Sequence, residues 1–188
     1  MEADFAIELG RDDAVLEMPW AAPDGSVRYH DLKRYPELLR EIQEVRGAPE
    51  LGDFLATANS RSGVFESAKC DVWSSDQMSP EEEIFASKIK FGCYVDLLFS
   101  QESWRLSFAH HENAVRRLTR ILQEASGVSA AAEFLVRRCY FQREQQVMEG
   151  FYITMYLFGY GGDENEARRR WGAGLRLAET AIRQWSEP

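Results

Sequence analysis

A chain of 188 residues, 45% hydrophobic and 28% charged, has the composition of a globular domain that can bury a core without disulfides or a structural metal. Its formal net charge of −9 at pH 7 repels phosphate backbones and anionic lipid, so nucleic-acid and membrane partners are not expected, and a basic protein or a small cation is easier to accommodate. No stretch approaches the roughly 20 apolar residues of a membrane span, Met1-Glu2-Ala3-Asp4 is acidic where a signal peptide is basic, and the widely spaced Cys70, Cys93 and Cys139 suit reduced thiols in a cytoplasmic protein.

Alternation of Phe5, Ile7 and Leu9 predicts a strand over 4–9, followed by a turn at 10–13 and a second strand over 14–20. Pro23-Asp24-Gly25-Ser26 is a turn signal, because Pro presets φ and Gly accepts positive φ, and 27–29 reads as a short returning strand. Leu38, Leu39, Ile42 and Val45 follow helical spacing between Pro36 and Gly47, and Pro49 opens a shorter helix. Residues 64–73 alternate, with Val64, Ala68, Cys70 and Val72 on one side and Phe65, Lys69, Asp71 and Trp73 on the other. Ser79-Pro80-Glu81-Glu82 has the form of a capping box. The clearest strand covers 89–99, with a wholly apolar face that includes Cys93, opposite Lys90, Tyr94 and Asp96. A helix over 109–125 follows, then strands at 134–141 and 151–158, a turn at 159–162, and a last helix from Asp163 to Trp185.

The recurring unit is strand, strand, helix, at 4–46, 64–125 and 133–185. The expected architecture is a single α+β domain over 1–188: one twisted antiparallel sheet built from two or three such units, with helices packed on one face. In architecture alone this pattern resembles the effector-binding domains of the GyrI-like class, where a duplicated unit forms a cleft for small molecules. The resemblance carries over no residue.

The common catalytic signatures are missing: no G-x-S-x-G, P-loop, dinucleotide fingerprint, C-x-x-C or H-E-x-x-H. His110 and His111 are adjacent, so a regular helix points them about 100° apart and they cannot grip one metal together. The cysteine spacings match no zinc module, and no metal or cofactor is expected. Arg116, Arg168 and Arg170 each follow a glutamate by four residues and read as surface ion pairs. Gly174, on the apolar stripe of the last helix, reads as a point of close approach to the sheet; Gly172 lies beside it.

The suggestive feature is the sheet face away from the helices. It gathers Lys69, Asp71 and Trp73; Lys90, Tyr94 and Asp96; and Tyr152, Thr154 and Tyr156; in the strand between, Arg137 and Arg138 occupy both parities, and Arg138 is assigned to the site. Tyr and Trp beside a few charges suit a ligand or peptide surface. The expected function is therefore non-catalytic binding of a small molecule or a protein through that face. The alternatives are a small enzyme using Asp96, Asp71, a tyrosine or His110/His111 as acid and base, an acidic inhibitor or immunity-type partner of a basic protein, and a homodimer interface.

Overall fold

The structure is a computed structural model that describes residues 1–143 and 146–185. In chain order the elements are β1 (Glu2–Glu8), β2 (Val15–Met18), α1 (Gln43–Gly47), α2 (Pro49–Ala58), β3 (Phe65–Ser75), β4 (Ile89–Phe99), α3 (Glu102–Arg105), α4 (Phe108–Gln123), β5 (Ala130–Arg143), β6 (Gln146–Gly161) and α5 (Glu164–Trp185), with 3-10 turns at Pro36–Glu41 and Pro80–Phe85. The strands form one sheet in the order β1-β5-β6-β4-β3, and β2 also pairs with β5.

The sheet is mixed, which corrects the expected antiparallel one. β3–β4, β4–β6 and β5–β6 are antiparallel, but β1 and β2 both run parallel to β5. Glu8 is opposite Arg137 and Val15 opposite Arg138, so the chain loops out for six residues and rejoins the same edge one position further on. The turn at 10–13, where the Asp13 carboxylate accepts from the Gly10 amide at 2.5 Å, closes that excursion without reversing the chain. Composition of a turn does not tell a reversal from a detour.

Three helices cover one face. Trp171, Leu175, Ala178 and Ile182 of α5, Val115, Leu118 and Leu122 of α4, and Phe54 and Leu55 of α2 pack on Phe91, Cys93, Val95, Leu97, Phe134, Val136, Ile153, Met155 and Leu157. The helix predicted between Pro36 and Gly47 is broken at Ile42, whose ψ of 118° is extended, into a 3-10 turn and a short α-helix. The capping box forms as predicted at Ser79 and Glu82 and starts a 3-10 turn. β6 runs through Gly159 to Gly161, where a turn was expected.

A β-bulge decides which residues of β3 face where. Ser67 is opposite Leu97 and Cys70 opposite Val95, so Ala68 and Lys69 together oppose Asp96. The extra residue flips parity. Phe65, expected on the open face, is instead fully buried on the helix face and stacks on Phe99 at 4.9 Å, while Ala68 turns to the open side.

The opposite face is partly covered, contrary to expectation. Leu16, Met18, Leu98, Cys139, Phe141 and Tyr152 form a second, smaller core. Residues 19–32 cross it as a strap, closed by a bridge between Ala21 and Arg28 and resting Trp20 and Tyr29 on the cluster. The strap is pinned to the bulge: the Trp20 indole donates to the Ala68 carbonyl at 2.7 Å, and Lys69 Nζ sits 4.9 Å from the Trp20 ring centre. Trp20→Phe removes this donor and leaves the carbonyl unpaired. The expected cost is about 1–2 kcal/mol in urea melts, with faster proteolysis within 21–28. Unchanged melting and cleavage would mean the strap is held by something else.

Candidate functional site

Between the strap and the 3-10 turn at Pro80–Phe85, part of the sheet face stays open. Strand register aligns Asp71, Tyr94, Tyr156, Glu133 and Asp4 in one row across β3, β4, β6, β5 and β1. The next row places Trp73 beside Gly92 and Phe158. A Cβ at position 92 would lie 2.4 Å from the Phe158 ring, so the glycine makes room for that ring to lie over the strand.

The rings form a continuous surface. Trp73 meets Tyr94 at 6.4 Å and Phe158 edge-on at 5.9 Å; Tyr156 lies 6.0 Å from Tyr94 and 6.3 Å from Phe158 with parallel planes. All four are half-buried, and the Lys90 ammonium sits 5.4 Å from the centre of the Phe158 ring.

The acids in the row form no ion pair among the described residues. Asp71 and Asp4 each accept a hydrogen bond from the next residue's amide, at 2.7 Å. Partial burial, with the carboxylates of Glu8 and Asp4 nearby, pushes the Glu133 carboxyl above its ordinary range. Arg137 lies against the row, where it interacts with Tyr156 and pulls on Glu133, while it donates to Glu8 at 2.7 Å and to the Thr154 hydroxyl at 3.2 Å. Thr154 in turn donates to Asp96 at 2.7 Å.

Asp96 is closed off. It is 6% exposed, and its one hydrogen bond among the described residues comes from Thr154. Burial pushes its carboxyl up to about 6, against the pull of that hydrogen bond and of Lys69 and Arg137. The bulge explains this, because Lys69 and the strap lie over the point where β3 skips a partner. Tyr152 is buried too, in the second core beneath the strap.

Of the residues expected at the site, the fold brings Asp71, Trp73, Tyr94 and Tyr156 together on the open surface, and sets Asp96 and Tyr152 beneath its border. Lys90 lies at the other border, where its ammonium is held by Glu82 at 2.7 Å; Glu82 also accepts from Tyr160 at 2.9 Å. Arg138 lies outside the site: it has the parity of Phe134 and Val136 and reaches Glu149 at 3.6 Å. That parity was readable from the sequence and selects Arg137 for the open face. Phe158, two residues after Tyr156, was equally readable. Glu133 and Asp4 were not, because β5 begins four residues earlier than alternation suggests and the parallel pairing of β1 is nonlocal.

The histidines lie elsewhere. His111 is fully buried among Phe99 and Phe151, its Nδ1 is 2.8 Å from the Ser107 carbonyl, and burial pushes it down to about 4, so it is neutral. His110 stacks on Trp104 with its Nδ1 2.8 Å from the Ser107 hydroxyl. Burial raises all three thiols, which makes them poor nucleophiles. Among the described residues no three His, Cys, Asp or Glu side chains are placed to hold a metal ion, and no helix is long and apolar enough to cross a membrane.

The two larger cavities described beside the strap, of about 360 and 410 Å³, are not lined by Tyr94 or Tyr156. Comparison of the chain with protein-family models, with curated proteins and with solved structures found no match in any of the three.

Proposed function

We propose that the protein is a non-catalytic binding domain whose open sheet face receives a basic protein or peptide. The observation that carries the reading is the row Asp71, Tyr94, Tyr156, Glu133, Asp4, in which acids that form no ion pair among the described residues flank paired aromatic rings. Lysine and arginine side chains suit such a surface, since carboxylates take the charge and ring faces take the cation by its quadrupole.

Size favours a macromolecular partner over a metabolite. With strands about 4.8 Å apart, a row across five strands is about 19 Å long, the reach of five or six extended residues. A second copy of the chain fits poorly, because it would set acid against acid in a molecule already at −9. An acid–base role for Asp96 lacks support from the geometry: a carboxylate that is 6% exposed beneath the strap has no room for a substrate.

The test is calorimetry with an Arg/Lys-rich peptide, and an Asp/Glu-rich peptide of equal length as control. The basic peptide is expected to bind and to weaken at least about tenfold between 50 and 500 mM salt. Tyr94→Ala with Tyr156→Ala, and separately Asp71→Asn with Glu133→Gln, are expected to weaken it at least about fivefold. Equal binding of the acidic peptide, or affinity untouched by both pairs, overturns the reading.

A further inference from the structure

We infer that the cavity of about 360 Å³ on the far side of the strap is a separate site for a small organic cation, an ammonium group carrying a short apolar or aromatic tail. It lies where the strap, the start of β3, α3, the end of β5 and the start of β6 meet, and its wall is part apolar and part polar. Met18, Phe141 and Met148 supply the apolar side; Tyr29, Asp31, Glu66 and Arg105 supply the polar one.

The donors around that wall are held by other partners, and one carboxylate oxygen is left without a donor among the described residues. Arg105 is committed: it donates through Nε to the Phe99 carbonyl at 2.5 Å and through one terminal nitrogen to Glu66 Oε1 at 2.8 Å. Arg143, at the mouth, is paired with Glu102 at 2.9 Å. Lys33, behind the wall, gives its ammonium to the Gly63 and Phe65 carbonyls at 2.6 and 2.7 Å. Asp31 has no ion-pair partner among the described residues. Its Oδ1 accepts from the Arg34 amide at 2.9 Å.

Glu66 is the second acceptor. It is 8% exposed, and both of its hydrogen bonds among the described residues, from Arg105 and from Tyr29 at 3.4 Å, arrive at Oε1. Oε2 has none. Burial, with Asp31 nearby, raises this carboxyl despite Arg105 and Lys33. A spare carboxylate oxygen of Glu66, with the Asp31 carboxylate nearby, therefore lines a cavity whose other wall is thioether and aromatic. An alkylammonium or arylalkylammonium ion satisfies both walls. A carboxylate or phosphate would meet Asp31 and Glu66, with the arginines already engaged.

This site is independent of the open face, and the test keeps them apart. The probes are phenethylammonium and 3-phenylpropionate, of similar size and opposite charge, followed by NMR shift mapping and thermal shift. Phenethylammonium is expected to bind in the millimolar range, perturbing Met148 and Tyr29 and leaving Tyr94 and Tyr156 unmoved. Asp31→Asn keeps the acceptor for Arg34 and is expected to weaken binding at least about fivefold; Met148→Trp, which fills the cavity, is expected to abolish it. The Tyr94→Ala, Tyr156→Ala pair should leave it unchanged. Equal binding of 3-phenylpropionate, full affinity in Asp31→Asn, or no shift at Met148 overturns the inference.

Discussion

Gly159→Ala is expected to cost about 4 kcal/mol or more, most of the stability of an ordinary domain, so that little folded protein survives. Gly159 lies in β6 between Phe91 of β4 and Ala130 of β5, on the face that carries α5. A Cβ there would stand 2.0 Å from the Trp171 nitrogen and 2.3 Å from the Ala167 carbonyl oxygen. Both are helix backbone, so no side-chain rotation relieves the clash; α5 itself has to move. That displacement lifts Trp171, which is fully buried, together with Leu175 and Ala178 from the sheet. Gly172→Ala is the contrasting substitution. Its Cβ would meet the Glu50 Cγ at an ordinary 3.4 Å, and alanine in a helix interior is worth up to about 1 kcal/mol over glycine. Urea melts should move in opposite directions for the two. A Gly159→Ala midpoint near that of the parent would mean α5 is not seated on Gly159.

The second large effect is a pair of opposed titrations. Asp96 is raised from its ordinary 3.8 to about 6, so between these values the folded chain holds a proton that the unfolded chain releases. Its contribution favours folding below pH 4 and is lost as pH rises through 6, by about 3 kcal/mol. His111 is lowered from 6.5 to about 4, so in its window the unfolded chain holds the extra proton. Its contribution is present above pH 6.5 and is lost as pH falls through 4, by a similar amount. The two partly cancel in the parent, and single substitutions separate them.

Asp96→Asn keeps an acceptor for Thr154 and removes the buried charge. At pH 8 it is expected to stabilise by about 2 kcal/mol, an advantage that disappears by pH 4. His111→Leu is expected to destabilise at pH 8 through lost contacts with Phe99 and Phe151, and its deficit should shrink by about 3 kcal/mol on going to pH 4. Denaturation across pH 4–8 reads both slopes. If Asp96→Asn is the less stable protein at pH 8, the carboxylate is doing something that burial alone does not explain. A partner-dependent role at the border of the open face would then have to be sought.

Much of the candidate surface was legible by parity. Tyr94 and Tyr156 are directly opposite in register, as alternation along two clear strands implies, and Trp73 and Asp71 join them once β3 is paired. Arg138 was misassigned although Phe134 and Val136 share its parity. The strap was not legible as a cover, because residues 19–32 carry turn signals and little periodicity. What draws them onto the sheet is an apolar patch contributed by β2, β4, β5 and β6, elements distant in sequence.

The sequence by itself determined the local grammar: that strands pass through 89–99, 134–141 and 151–158, where the helices α2, α4 and α5 lie, the capping box at Ser79, and the apolar faces of β4, α4 and α5. These follow from side-chain period and backbone preference, which act over a few residues. Only the tertiary structure decided that β1 and β2 run parallel to β5, that a bulge opposite Asp96 turns Phe65 inward, and that Gly159 is a seat for α5 where the sequence suggested a turn. Each of these depends on which distant strand supplies the neighbour, and pairing energies of that kind are not written in any one segment. The acidic row follows from the same cause, since its five residues come from five strands and meet only in register.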